Sequence, residues 1–464
     1  SLYIGLNQSI WFDEAYSITL AKRPVSELIH LTAIDVHPPV YYIFLHFWGN
    51  LFGFSEFSLR FSSVIMVTLA ILAMSAFIKT IFNKRLAGIA TGLLCLSPML
   101  MRYGFEVRMY ALATLISILA TIILALIGRE KKTGQRRLLW VTYAGLVALG
   151  MLTLYYTIVI WLTHLSYLVY KTINERKPLL KQGFWLAYFL AIVLFSPWGL
   201  VAIKQFTNEA LAQISEPMTL TNLLGVFSFN FLYRPIWQLD QIEGLLILVL
   251  VAVIGVFLAR LLRIRKKKPE AFFLVFLAIG PIAIEFIICL IKPMYVERYL
   301  VYSAPFLITF IVYLFYEAEP KSRKWTLGFL AGLSLIGIFN LNQLGNFNFQ
   351  RMQKPDIRQV SQELKNSSLP ILADSPYEAI ELGYYLADRI YFYAPYESLK
   401  GGYAPLDQSE FKIKNVEDLD KLDCFNYAHY DMNLESAFKE HQFKKAGGLN
   451  KEHTLKYVKI CKDK

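Results

Sequence analysis

Apolar runs separated by polar gaps, all short except the long loop Lys204–Glu243, fill the chain from residue 56 to residue 341. Ten such runs, at about 56–79, 86–101, 109–127, 138–154, 156–171, 183–203, 244–262, 271–291, 299–316 and 325–341, read as helices that cross a membrane. A bilayer core takes roughly 20 apolar residues in helical form, because the helix alone satisfies its own backbone polar groups in hydrocarbon. Ahead of these runs, residues 12–54 follow a different pattern, amphipathic rather than uniformly apolar. Glu14–Lys22 and Ser26–Ile34 read as short helices, and Pro38-Pro39 open a third that carries Tyr41, Tyr42, Phe44, Phe47 and Trp48. Aromatics with few charges suit helices lying in the interface plane. Ser1–Trp11 is too short to span a bilayer and has no signal-peptide pattern.

Beyond about residue 345 the chain turns polar. Pro370–Ala373, Arg389–Tyr393, Cys424–Tyr430 and Leu455–Ile460 read as strands, and Glu378–Leu386 as a helix. The expected architecture is mainly α: a polytopic helical bundle over residues 1–341, including a first outer loop at 12–54, and a small α/β domain over residues 342–464. No GxGxxG, P-loop or CxxC motif occurs in that second part.

Composition agrees with the pattern. The chain is 56% hydrophobic and 18% charged, with a mean hydropathy of +0.42, against about 25% charged in soluble domains. The net charge of +12 would suit nucleic acid, but its placement does not. Lys and Arg gather in Lys84-Arg85, Arg129–Arg137, Lys171–Lys181, Arg263–Lys268 and Lys321–Lys324. Counting ten spans in order puts all five gaps on one side, which the positive-inside rule makes cytoplasmic. The opposite side then holds the N-terminal segment, Arg102–Arg108, Lys204–Glu243, Lys292–Arg298 and the C-terminal part, so nucleic acid is excluded as a partner. Cys95 and Cys289 lie in apolar runs and read as small core residues. Cys424 and Cys461 fit either a disulfide in an oxidising compartment or two thiols.

The polar residues on the outer side carry the candidate chemistry. Asp13-Glu14 fits two readings: a carboxylate that takes a proton from a hydroxyl nucleophile, or a helix N-cap and first-turn acid. Asp35-Val36-His37-Pro38-Pro39 places an acid and an imidazole two residues apart, able to share a cation or a substrate hydroxyl, or to cap a helix. Arg60, near the outer end of the first span, either snorkels or holds a phosphate with its planar fork. In Arg102-Tyr103-Gly104-Phe105-Glu106-Val107-Arg108-Met109-Tyr110, helical spacing puts Arg102, Glu106 and Tyr110 on one face and Arg108 elsewhere. Glu106 reads as an orienting group and Arg108 as a functional one. Arg298-Tyr299 precedes the ninth span at the same level.

Together these motifs resemble the bacterial members of the protein O-mannosyltransferase and aminoarabinose-transferase superfamily, glycosyltransferases of the GT-C fold. The resemblance covers about residues 10–310, and Lys354-Pro355-Asp356-Ile357-Arg358 is similar to the start of the extracytoplasmic domain in such proteins. It implies a sugar donor on a polyprenyl phosphate and transfer with inversion to an acceptor hydroxyl on the extracytoplasmic face of the cell membrane. Asp13 matches the catalytic acid of the first outer loop, with Glu14 beside it. Arg60, Arg108 and Arg298 match positions near the donor phosphate, and Arg102, Glu106, Tyr110 and Tyr299 complete the expected donor-binding set. The resemblance also implies a membrane helix ahead of the Asp-Glu pair, which this sequence does not include. No cofactor is required by this chemistry; Asp35 and His37 are the candidates for a divalent cation of unidentified type. The competing readings are a lipid or sugar transporter, whose charges belong near the midplane, and a non-catalytic subunit of envelope polysaccharide assembly. Neither the sugar nor the acceptor is written in the sequence.

Overall fold

The computed structural model describes residues 1–206, 219–234, 238–263, 269–292, 295–317, 320–344, 356–386, 390–395, 399, 401–407, 409, 411–414, 423–430, 438, 443–445 and 455–462. Contacts divide the chain into two compact units: Phe61–Gln343 with Ser1, and Leu2–Arg60 with Leu344–Lys464. The first outer loop, expected to belong with the spans, therefore groups with the C-terminal part. The cause is its amphipathic helices, which bury apolar and aromatic faces against the extramembrane helix Pro376–Leu386.

The unit Phe61–Gln343 is a bundle of helices. Among the described residues, six helices are long and apolar enough to cross a membrane: Glu56–Ile81, Tyr110–Ile127, Phe184–Phe206, Glu270–Ile291, Arg298–Tyr316 and Lys324–Gln343. The other four expected runs are helical too, as Lys84–Cys95 with Pro98–Tyr103, Thr133–Thr153, Ile158–Asn174 and Gln241–Arg263. One correction concerns the run 86–101, which is two helices rather than one. Asn83 caps the first, accepting from the Leu86 N–H at 2.8 Å. Ser97 caps the second, with Pro98 in its first turn, where a missing N–H costs nothing. Ala304–Phe315 is buried throughout and forms the middle of the bundle, against Lys84–Cys95 and Pro269–Ile291. Phe184–Phe206 instead exposes Leu186, Phe189, Ile192, Leu200 and Ile203, as a lipid-facing helix does. Cys289 is buried, but Cys95 is exposed at its helix end and is not the core residue expected.

The other unit joins four helices of residues 2–52 to a mixed sheet. Helices Leu2–Leu6, Phe12–Ala21, Val25–Ala33 and Val40–Phe52 confirm the three short helices expected and add one. The strands are β1 (Ile371–Ala373), β2 (Ile390–Tyr393), β3 (Lys412–Ile413), β4 (Cys424–His429), β5 (Phe443–Lys445) and β6 (Lys456–Lys462). Their order is β3-β2-β1-β4-β6-β5, with β1 to β4 parallel and β6 antiparallel to both β4 and β5. Helix Ile357–Lys365 lays Ile357, Val360 and Leu364 onto Ile371, Leu382 and Phe392 to close one face.

Cys424 and Cys461 sit directly opposite each other on β4 and β6 and are disulfide-bonded. They close a loop with a sequence separation of 37. The chain-entropy account gives a loop of this length about 3–4 kcal/mol of stabilisation. Cys424→Ser with Cys461→Ser is expected to lose a large part of that. Hydrogen exchange of the β4 and β6 amides, faster in the double variant, is the check; equal protection in both proteins would show that the bond adds nothing.

Candidate functional site

In the unit containing the N-terminal segment, Glu14 and Arg60 form a fully buried ion pair, both 0% exposed. Arg60 Nε donates to Glu14 Oε1 at 3.1 Å and Nη2 to Oε2 at 2.7 Å, a two-pronged pairing. The remaining guanidinium N–H groups go to the carbonyls of Gly5, Gln8 and Ser9 and to Glu56. An arginine has five N–H donors, and here every one has an acceptor. Arg60 thus has no N–H left for a phosphate, and its expected place beside the donor phosphate is replaced by a scaffolding one. Arg358, singled out only as part of the domain-start motif, completes the knot. It pairs with Glu56, its Nη1 reaches the Leu6 carbonyl at 3.0 Å, and its Nη2 reaches the Gln8 carbonyl at 2.8 Å. Two arginines therefore clamp the backbone of residues 5–9, and Glu14 ties the helix Phe12–Ala21 to that clamp.

Asp13 lies one residue before Glu14 in the first turn of the same helix and is half-buried. Its backbone carbonyl accepts from Ser17 Oγ at 2.8 Å. Trp11, the residue before the helix, makes no side-chain cap hydrogen bond, and Asp13 stands inside the helix, so the N-cap reading of Asp13 gives way. Phe12 stacks on Tyr377 with ring centres 4.4 Å apart, and Tyr403 lies 5.5 Å from Phe12. Burial, then Glu381 and Asp13, push the Tyr377 phenol up, which keeps it a proton donor near Asp13. Buried Glu378 is pushed up to about 7 by burial, and Glu381 accepts from the Tyr430 hydroxyl at 2.8 Å. The sequence did not single out Tyr377, Glu378, Glu381 or Tyr430. Their only signal was that acids and tyrosines follow the end of a short parallel strand, where open α/β sheets place ligands.

Asp35 is 3% exposed; its Oδ2 accepts from the Tyr16 hydroxyl at 2.7 Å and lies 3.4 Å from His37 Nδ1. Burial pushes the Asp35 carboxyl up, but the hydrogen bond and charge of His37, the Tyr16 hydroxyl and the Val36 amide outweigh it and hold the group below its usual range. Among the described residues no group of three or more His, Cys, Asp or Glu could hold a metal ion. Asp35 and His37 by themselves fall short of such a group, and the Oδ2 of Asp35 is engaged by Tyr16 and His37. Asp35 instead anchors the turn between Val25–Ala33 and Val40–Phe52 to helix Phe12–Ala21.

In the unit Phe61–Gln343, a second cluster surrounds the turn between Pro98–Tyr103 and Tyr110–Ile127. The helical spacing expected over 102–110 is broken there: the helix ends at Tyr103, capped by Gly104, and a new one starts at Tyr110. A Cβ at Gly104 would stand 2.5 Å from the Leu100 carbonyl and 2.7 Å from Val67 Cγ1, so only glycine passes there. Arg102 and Glu106 still pair, Nη1 to Oε2 at 3.1 Å, and both are buried. The Arg102 guanidinium lies 5.5 Å from the Tyr103 ring and 5.2 Å from the Phe105 ring. The Glu106 carbonyl accepts from Ser63 Oγ at 2.6 Å and from the Arg108 N–H at 2.7 Å, which fixes the turn. Arg108, 3% exposed, and Arg298 both act on the Tyr110 hydroxyl, as do Glu106 and Tyr299. The guanidinium of Arg298 lies 5.7 Å from the Tyr299 ring, which packs 4.2 Å from Tyr156. Arg102, Glu106, Arg108, Tyr110, Arg298 and Tyr299 thus converge. Tyr233 was missed: it feels Arg102, Glu106 and Arg298 and takes a hydrogen bond from Arg102. Its backbone is left-handed, φ 51°, uncommon for a residue with a Cβ and more frequent at functional positions.

Three comparisons bear on this arrangement. The family model described as dolichyl-phosphate-mannose-protein mannosyltransferase matches residues 36–200. No curated protein sequence matches the chain. Among solved structures, ArnT from Cupriavidus metallidurans in the apo state superposes with a TM-score of 0.65 at 13% identity, covering 98% of this chain and 93% of that one. The same protein bound to undecaprenyl phosphate gives 0.65 at 14%, covering 98% and 94%. The Archaeoglobus fulgidus oligosaccharyltransferase in complex with Zn and sulfate gives 0.50 at 13%, covering 91% of this chain and 64% of that one.

Proposed function

We propose that the chain, whose fold is that of ArnT and whose residues 36–200 match the mannosyltransferase family model, is a multi-pass membrane glycosyltransferase of the GT-C type that moves a sugar from a polyprenyl-phosphate donor to an acceptor hydroxyl with inversion. The observation that carries the reading is the buried set Arg102, Glu106, Arg108 and Tyr110, joined by half-buried Arg298, in the turns around membrane helices. Arginines at that depth are costly unless they meet an anion. A phosphate monoester leaving group is a stable anion whose developing charge two arginines can stabilise by several kcal/mol, without proton transfer. In this scheme Arg108 and Arg298 hold the donor phosphate. Arg102 and Glu106 fix the turn, and the tyrosines supply hydroxyls for the sugar. Asp13 acts as general base on the acceptor hydroxyl, and Glu14, Arg60 and Arg358 hold its helix in place. The bound undecaprenyl phosphate in the Cupriavidus ArnT structure supports a polyprenyl carrier. The Cys424–Cys461 disulfide supports placing residues 342–464 on the oxidising, extracytoplasmic side.

The test is incubation of the purified protein with a panel of polyprenyl-phosphate sugars, with donor consumption as the readout. At least one donor is expected to be consumed. No consumption of any, with acceptor-bearing membrane extract present, would overturn the reading. Arg108→Ala is expected to weaken use of that donor by about 10- to 100-fold, the worth of a charged hydrogen bond to phosphate, with little change in thermal unfolding. Unchanged donor dependence together with a lowered unfolding temperature would make Arg108 a structural residue.

A further inference from the structure

A cavity of about 560 Å³ opens at the opposite end of the bundle from the Arg102–Tyr110 turn, among the ends of Glu56–Ile81, Tyr110–Ile127, Thr133–Thr153, Ile158–Asn174 and Pro269–Ile291. Its volume is that of a ligand pocket rather than a packing defect. Its wall is two-toned. Leu124, Ile127 and Phe273 make an apolar floor, while Arg129, Arg136, Lys171 and Lys177 stand around it against the two acids Glu175 and Glu270. Glu175 is spent on Lys177, at 2.6 Å, and Arg129 reaches the Thr80 carbonyl at 3.2 Å. Arg136 and Lys171 have no side-chain ion pair or hydrogen bond among the described residues, and Lys171 Nζ stands over the backbone of Gly128. Trp140 and Tyr170 complete the rim, the residue types that settle at the head-group level of a bilayer. The two helices that supply Trp140 and Phe184 present Leu138, Val141, Leu186 and Phe189 outward, an exposed apolar surface on which acyl chains can lie.

A phosphate with an attached apolar tail matches every part of this wall. We propose that the cavity binds the head group of an anionic phospholipid, its phosphate between Arg136 and Lys171, in the leaflet that the positive-inside rule makes cytoplasmic. This site uses none of the residues assigned to sugar transfer, so it stands or falls separately from that reading. Bulk basic loops also draw anionic lipid to a membrane surface. What distinguishes a site is that two particular cations matter more than their neighbours on the same segment.

The experiment follows thermal unfolding of the full chain in detergent while phosphatidylglycerol, phosphatidylcholine or glycerol phosphate is added. Phosphatidylglycerol is expected to raise the unfolding temperature at a lower concentration than phosphatidylcholine, and glycerol phosphate to do nothing. Arg136→Gln with Lys171→Gln is expected to raise the half-maximal phosphatidylglycerol concentration about tenfold. Lys131→Gln with Arg137→Gln, exposed basic positions of the same segment outside the cavity, is expected to leave it within about twofold. Arg136→Gln alone, at an exposed position, is expected to show a shift of about threefold and serves if the double variant does not fold. Equal effects of the two variant pairs would reduce the observation to surface charge and overturn the site. The same shift with glycerol phosphate would assign the cavity to a soluble anion and overturn the lipid.

Discussion

Asp13→Asn is expected to leave the protein folded and membrane-inserted while lowering sugar transfer by about 100- to 10,000-fold, the usual range for removing a general base. The substitution keeps the shape of the side chain and removes only its basicity. Asp13 is half-buried in a helix whose position is set elsewhere, by the Glu14–Arg60 pair, so its loss of charge does not release the scaffold. Phe12, the residue before it, stacks on Tyr377, whose phenol stays protonated and so does not itself replace the carboxylate as a base. The measurement is transfer from the donor identified in the panel, at saturating donor, alongside the unfolding temperature. Full activity in Asp13→Asn would remove Asp13 from the mechanism. Lost activity accompanied by a large fall in unfolding temperature would show that the residue is a structural one.

The parts of this protein that were legible in the sequence are those set by local rules. Membrane helices declare themselves by apolar length: six of the ten expected runs form helices long and apolar enough to cross among the described residues, and the other four are helical, one of them broken in two. The strands around Ile371, Ile390 and Cys424 were marked by short apolar runs between turn residues. What the sequence hid depends on partners far along the chain. Arg60 looked like a phosphate ligand because an arginine at a span end has few local acceptors. Apart from Glu56, its acceptors come from residues 5–14, 46–55 positions away. The continuous helical face expected over Arg102, Glu106 and Tyr110 failed because the helix ends at Tyr103, with Gly104 as its C-cap, and a new helix starts only at Tyr110. The Arg102–Glu106 pair survived that change, since a tight turn brings residues four apart together as a helix does. Tyr233, Tyr377 and Glu381 had no motif of their own; only the tertiary fold brings them to charged neighbours.

Breaking the buried knot is expected to cost more stability than any other single change. Glu14→Ala leaves the Arg60 guanidinium buried without its two-pronged carboxylate partner, and removing one partner of a buried ion pair destabilises by about 3–5 kcal/mol. Arg60→Lys is expected to fare little better. An ammonium cannot make the two-pronged contact with Glu14 while also reaching the carbonyls of Gly5, Gln8 and Ser9. Glu14→Leu with Arg60→Met removes both charges and is expected to recover part of the loss. Recovery stays incomplete because the Ser9 carbonyl loses its Arg60 donor, a buried polar group left unpaired at about 1–3 kcal/mol, while the Gly5 and Gln8 carbonyls keep the Gln8 N–H and Arg358. Hydrogen exchange over residues 2–21 reads the effect where it arises, without assuming that a chain of two units unfolds in one step. Transfer activity should fall in Glu14→Ala in step with that exchange, since Asp13 is carried by the same helix. Unchanged exchange over 2–21 in Glu14→Ala would show that the clamp is held by Arg358 and Glu56 alone. Activity retained while the segment opens would separate Asp13 from the scaffold that this structure gives it.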